Sequence, residues 1–234
     1  MMSSEAFRAG PRQMALDLAL PESLARDDFL EADCNAEALA LVEAWPQWPA
    51  PVVALVGPPG AGKSHLGSIW ADLSGARRLA ARDLAGVQPS DALATGALLL
   101  EDAGPRTSEV PLFHLINAAK EEGAFVLMTA REAPVSWGTS LRDLGSRLRA
   151  LPVARLAEPE DGLLRAVLVK LFADRQMLCD VEVVEYLARR MERSLDAARR
   201  LVAALDRETL ETGRRLTRPL AAQVLERVMQ PTLI

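Results

Sequence analysis

Eight consecutive residues, Gly57-Pro58-Pro59-Gly60-Ala61-Gly62-Lys63-Ser64, carry the spacing needed to hold phosphate. They fit the pattern G-x-x-x-x-G-K-[ST] at every fixed position. In such a loop, successive backbone N–H groups point into one concavity, and the positive end of the following helix adds its field. Lys63 has the reach for β- and γ-phosphates, and the Ser64 hydroxyl is a Mg²⁺ ligand of the expected kind. His65, directly after the loop, is a further candidate contact. The alternative is a Gly/Pro-rich turn without a ligand. The flanks argue against it, because the apolar run Pro51 to Val56 precedes the loop and a helical segment, His65 to Leu73, follows.

A second group lies downstream. Ala97-Leu98-Leu99-Leu100-Glu101-Asp102 reads as an apolar strand ending in two acids, the Walker B arrangement. One acid of such a pair organises Mg²⁺ and the other orients the attacking water, so Glu101 and Asp102 are candidate metal ligands and Asp102 a candidate catalytic group. The competing reading is a buried strand that runs into an acidic turn. Glu101 stands where aspartate is usual, and its extra methylene alters the metal geometry. The strand Phe125 to Thr129 ends in a hydroxyl, and Thr129 either faces the γ-phosphate or caps its own strand. Leu141 to Leu151 reads as a short helix with Leu141, Leu144, Leu148 and Leu151 on one face. Arg142 and Arg149 point away from that face, while Arg147 sits at its border. From spacing alone Arg147 is either a snorkelling surface residue or a group that projects into a neighbouring subunit.

These residues need a frame to hold them. Residues 1–20 form an extended or disordered tail, with Pro11 and Pro21 as breakers. Within it, Gln13-Met14-Ala15-Leu16-Asp17-Leu18 places Met14, Leu16 and Leu18 at every second position, the period of a peptide laid extended in a groove. An ordinary tail has the same look. A helix is expected from about Ala36 to Ala44, a strand and turn within Arg77 to Leu84, a helix from Pro111 to Glu122, and a last strand Val153 to Leu156. Beyond the linker Pro159-Glu160-Asp161 the chain reads as four helices: 160–177, 181–193, 195–212 and 219–228. Short helices with single apolar stripes make a small bundle.

Composition narrows the function classes. The chain has 234 residues, 50% hydrophobic and 25% charged, which suits a globular protein with a real core. Aromatic residues are only 4%, too few for base-stacking platforms, and a net charge of −5 disfavours a large nucleic-acid surface. Cys34, Cys179, His65 and His114 are scattered, with no metal-site or disulfide spacing. With no signal peptide and no membrane-length apolar run, a cytoplasmic protein that binds no membrane is expected.

A nucleotide loop, an acidic strand end, a polar strand end, a trailing arginine and a helical lid together resemble the AAA+ ATPases. The likeness narrows to relatives of the bacterial replication initiator DnaA. Phe29-Leu30-Glu31-Ala32-Asp33-Cys34-Asn35 looks like the segment that opens the initiator's nucleotide domain, which makes Leu30 a nucleotide contact. Leu141-Arg142-Asp143-Leu144-Gly145-Ser146-Arg147-Leu148 looks like box VII, with Arg147 at the arginine-finger position. Ala198-Arg199-Arg200-Leu201 resembles the sensor 2 helix, with Arg199 as the sensor. A chain that stops soon after the lid and carries the 13–18 hexapeptide is similar to the Hda-like regulators, which bind the sliding clamp.

The resemblance implies a P-loop AAA+ domain with a parallel five-stranded sheet flanked by helices, followed by a small all-α lid. The implied division is tail 1–20, nucleotide domain 21–157 and lid 158–234. It further implies bound ADP or ATP with Mg²⁺, the initiator DnaA and the DNA polymerase III sliding clamp as partners, and no specific DNA contact of its own. A homo-oligomer is compatible with it. Weak intrinsic ATPase is expected, the main role being activation of the partner's hydrolysis. A helicase-loader or transposition-type AAA+ protein is the nearest alternative. A nucleoside monophosphate kinase, which shares the Gly-Pro-Pro-Gly-Ala-Gly-Lys opening, is the other.

Overall fold

The computed structural model describes residues 24–229. The apolar runs found in the sequence become strands, and the stripes become helices packed on them. In chain order the elements are α1 (Ala36–Glu43), β1 (Val52–Val56), α2 (Lys63–Ser74), β2 (Arg77–Ala80), α3 (Pro89–Ala92), β3 (Ala97–Ala103), α4 (Glu109–Glu122), β4 (Phe125–Ala130), α5 (Arg142–Ala150) and β5 (Val153–Arg155). Then come α6 (Asp161–Asp174), α7 (Val181–Ala188), α8 (Leu195–Thr212) and α9 (Arg218–Met229). Among the described residues the five strands form one parallel sheet in the order β2-β3-β4-β1-β5.

β1 is buried at all five positions, as a central parallel strand covered on both faces must be. Alternation along the strands divides the core in two. Val53, Leu55, Leu99 and Leu127 pack with Leu39 and Val42 of α1 and with Leu66 and Trp70 of α2. Val52, Ala54, Leu98, Leu100, Val126 and Met128 pack with Leu112 and Leu115 of α4 and Leu144 and Leu148 of α5. The register that sets Val56 opposite Ala130 and Arg155 brings the carboxyl ends of β1, β4 and β5 to one edge, where open α/β sheets bind their ligands.

Helices α6 to α9 enclose a separate core that includes Leu164, Leu168, Leu187, Leu201, Leu205 and Val224. Cys34, from before α1, is part of that core, and burial pushes its thiol pKa up. Ala157 N–H, just after β5, donates to the Cys34 carbonyl at 2.8 Å, and Lys170 of α6 ties the helical part to the α/β part through Asp28 at 2.7 Å.

Several boundaries differ from expectation. α6 ends at Asp174 and α7 at Ala188, short of the expected 177 and 193; Met177 and Met191 continue the apolar period but reach the lid core from beyond the helices. α2 begins at Lys63, two residues before the segment expected from His65. α3, one short turn with Pro89 in its opening position, was not anticipated.

Candidate nucleotide site

The loop 57–64 runs from β1 into α2. Gly60 and Gly62 have φ of +71° and +102°, in the left-handed region where a side chain is strained. At Gly60 space also forbids a side chain, because an added Cβ would run into Ser194. Leu195 N–H donates to the Gly60 carbonyl at 2.8 Å, so the first residue of α8 is bonded to the loop itself. Ser194 caps α8 through a bond from Ala197 N–H at 3.2 Å. The lid thus closes directly over the phosphate loop.

Lys63 is buried, and its Nζ donates to the carbonyls of Gly57 and Pro58, both at 2.7 Å. Burial lowers its pKa, the charges of Asp102 and Asp196 act against that, and Arg131 reinforces it. Ser64 is exposed. A glycine cradle, a lysine whose acceptors are loop carbonyls, and a free-facing hydroxyl together fit the phosphates of a nucleotide. A phosphate oxygen would take the place of the carbonyls as the lysine's partner. The ring of His65 is turned elsewhere: its Nε2 lies 3.0 Å from the Ala25 carbonyl, and it packs edge-on to Phe29 with centroids 5.2 Å apart. The adjoining Leu30 is half-buried against the lid core, and its carbonyl accepts from the Asn35 side chain at 3.0 Å.

Both acids of the second motif lie in β3, just before its last residue Ala103, as the sequence led one to expect. The β3–β4 register slips between Leu100 and Ala103, and Asp102 takes a φ of +57°. A bulge re-aims the side chain it carries, and the charge of Asp102 acts on Lys63 of the loop. Asp102 N–H donates to the Thr129 hydroxyl at 3.0 Å. Thr129 therefore holds the bulge in place, and it is buried. A lone-pair partner is fixed this way, while the hydroxyl's own proton is left for a further acceptor. Among the described residues no three His, Cys, Asp or Glu side chains cluster tightly enough to hold a metal ion. Mg²⁺ at Ser64, Glu101 and Asp102 would draw its remaining ligands from phosphate and water.

On α8, Arg199 is largely buried and pairs with Asp196 at 2.9 Å. The charge of Asp196 in turn opposes, as the smallest influence, the burial that lowers the Lys63 pKa, so the start of α8 lies within electrostatic reach of the loop. Sequence reasoning missed Asp196, Arg131 and Ser194. Arg131 carried a usable signal, since it follows directly on the end of β4, the strand that pairs with β1. Asp196 had a weaker one, three residues ahead of Arg199.

Arg147 stands apart from these groups. Its guanidinium lies on the ring of Phe113 of α4, 5.1 Å from the centroid, and its Nε is buried without a hydrogen-bond partner. Arg142 and Arg149 on the same helix are exposed, whereas Arg147 is half-buried. Gln13, Met14, Leu16 and Leu18 lie outside the described residues.

Comparison with known proteins places this geometry. Residues 162–225 match the family model for the Hda lid domain. The whole fold is similar to domain III of the replication initiation protein DnaA from Thermotoga maritima, at TM-score 0.75 and 19% identity over 89% of this chain and 98% of that one. AMPPCP-bound DnaA from Aquifex aeolicus gives a TM-score of 0.67 at 18% identity over 83% of this chain and 68% of that one. The Thermotoga maritima RuvB branch migration motor gives 0.70 at 18% identity, over 87% and 72%. At such identities these structures establish the fold. No curated protein sequence matches the chain. Residues 162–225 thus resemble the Hda lid domain, and the sheet and helices together have the fold of DnaA domain III.

Proposed function

We propose that this chain is a nucleotide-bound regulator of replication initiation. Held at the DNA-loaded sliding clamp by residues 13–18, it stimulates ATP hydrolysis by the initiator DnaA and so prevents re-initiation. In this reading residues 21–157 bind ADP or ATP with Mg²⁺, residues 158–234 act as lid, and the protein works in the cytoplasm. Among the described residues no helix is long and apolar enough to cross a membrane.

One observation carries the reading. The charges that act on Lys63 are Asp102, Arg131 and Asp196, whereas Arg147 rests on α4 with an unanswered nitrogen. A guanidinium so held suits a nucleotide supplied by another subunit. Bound nucleotide contributes phosphate charge to the loop. Lys63 and Ser64 would orient it, Arg199 would sense it from the lid once drawn from Asp196, and Thr129 would keep Asp102 aimed at the loop edge. Arg147 would meet transition-state charge on the partner's γ-phosphate in a dry interface, where electrostatic stabilisation is largest.

The test is hydrolysis by ATP-bound initiator on clamp-loaded DNA, with wild type and with Arg147→Ala. Stimulation by wild type that the variant loses supports the reading; a variant as active as wild type overturns it. The clamp attachment has its own check by calorimetry. Leu16→Ala/Leu18→Ala should lose on the order of 1.5–3 kcal/mol of clamp affinity per leucine buried. Unchanged affinity would make residues 13–18 an ordinary tail.

A further inference from the structure

Helix α4 grips α5 at two places, and the second grip is on Arg147. At the start of α5, the Glu109 carboxylate accepts from Ser140 N–H at 3.0 Å, the Ser140 hydroxyl at 2.7 Å and Leu141 N–H at 3.0 Å. One turn along α4, on the same face, the Phe113 ring lies under the Arg147 guanidinium. The first grip fixes where α5 begins. The second fixes how one side chain leaves it.

A long arginine at the border of an apolar face ordinarily snorkels, with all its N–H groups in water. Here Nε is withdrawn from water and bonds nothing, which is unfavourable unless another contact offsets it. The face of an aromatic ring is such a contact, because its negative quadrupole attracts a desolvated cation without consuming an N–H. A guanidinium laid on a ring keeps its terminal nitrogens for an outside acceptor. An ion pair at the same point would have occupied them.

We propose that Phe113 is a positioning residue for Arg147, its ring holding the guanidinium plane so that the terminal N–H groups face an anionic oxygen brought by a partner subunit. The proposal rests on the trans-acting reading of Arg147 and deepens it. Phe113 touches no nucleotide; it acts through the orientation of the arginine. Leucine in its place keeps the apolar volume but offers no ring face. Tryptophan keeps the face.

The experiment uses the full chain with nucleotide, DNA-loaded clamp and ATP-bound initiator, in wild type, Phe113→Leu and Phe113→Trp. Phe113→Leu should lower the maximal stimulated rate about tenfold, the order that a desolvated cation–π contact supports. The KM for initiator should stay within about twofold of wild type, and Phe113→Trp should restore the rate. In the chain without initiator, ¹⁵N-edited spectra should show the Arg147 Nε–H shifted upfield by the ring and slow to exchange. That signature should vanish in Phe113→Leu and persist in Phe113→Trp. A wild-type rate in Phe113→Leu overturns the proposal, and so does a raised KM at unchanged maximal rate, which would make Phe113 a docking contact. If Arg147→Ala leaves stimulation intact, the trans-acting reading fails instead. The Nε–H signature still decides whether Phe113 orders the arginine, and its absence from wild type overturns the proposal even if Phe113→Leu is poorly folded.

Discussion

The phosphate loop and the α5 face hold the molecule's two most suggestive cations in opposite ways. Lys63 is enclosed: it bonds two loop carbonyls, feels Asp102 and Asp196, and lies beneath a lid bonded to its own loop. Arg147 is propped: one side rests on a ring, one nitrogen is dry, and no carboxylate pairs with it among the described residues. An enclosed cation answered from within the chain suits a ligand that stays. A propped cation left unanswered suits a group that arrives from outside. Under the proposed function, the difference separates keeping a nucleotide from acting on one.

The contrast breaks most decisively at the arginine. Arg147→Ala should lower stimulated initiator hydrolysis by roughly 10³-fold or more while leaving nucleotide affinity as in wild type. Lysine at 147 should rescue little, because a point charge cannot reproduce the planar fork. Equal losses in Arg142→Ala and Arg149→Ala would reduce α5 to a diffuse charged surface. At the enclosed site, Lys63→Ala should abolish the thermal stabilisation given by nucleotide, worth about 2.7 kcal/mol when ligand exceeds Kd 100-fold. Scanning calorimetry with and without ADP reads this, and a surviving shift would place binding elsewhere.

Gly60→Ala sharpens the claim that the lid sits on the loop. A positive φ together with the obstruction by Ser194 should cost roughly 1–3 kcal/mol, read as a lower urea midpoint. An unmoved midpoint would mean that lid and loop are not in contact in solution. The smallest effect is expected at Glu109. Hydrogen bonds from Ser140 hold its pKa down to about 2 in the folded chain, against an ordinary value of 4.5. A depressed folded-state pKa stabilises above the unfolded value and loses that contribution as pH falls. Glu109→Gln lacks the ionised cap at every pH, so its stability deficit should shrink between about pH 5 and pH 2. The carboxylate is solvent-screened and the change small; a deficit independent of pH would show that charge plays no part in the cap.

What was legible in the sequence follows from how local each constraint is. Gly60 and Gly62 announce their positive φ because only glycine adopts it freely, and the loop could be read from composition alone. The Asp102 bulge carried no such mark. Its positive φ is imposed by the slipped β3–β4 register, and its bond to Thr129 exists only once β4 lies alongside. Asp196 and Arg131 act on the loop through tertiary placement, so their sequence neighbours, the end of β4 and Arg199, only hint at it. Phe113 was not singled out within the helix expected from Pro111 to Glu122. Its partner 34 positions on is set by how α5 packs across α4, which no periodicity records. Residues 13–18 lie outside the described structure, and their reading stands on sequence alone.

Cys34 has a consequence for how the chain folds. The helices from α6 onward close around a residue that precedes α1, with Leu30 and Ala32 beside it. The lid core is therefore completed by a segment that precedes every strand of the sheet in sequence. Contacts so distant in sequence carry a large loop-closure cost before they return any stability, so they form late. Synthesis from the N-terminus makes the sheet first and the lid helices last. An excised segment 158–234 would lack that earlier segment and expose the slot that Cys34 fills, whereas the sheet already carries its own two-sided core. The lid should be the part that opens first in the native ensemble, and amide hydrogen exchange in α6 to α9 should outpace that in β1 and β4.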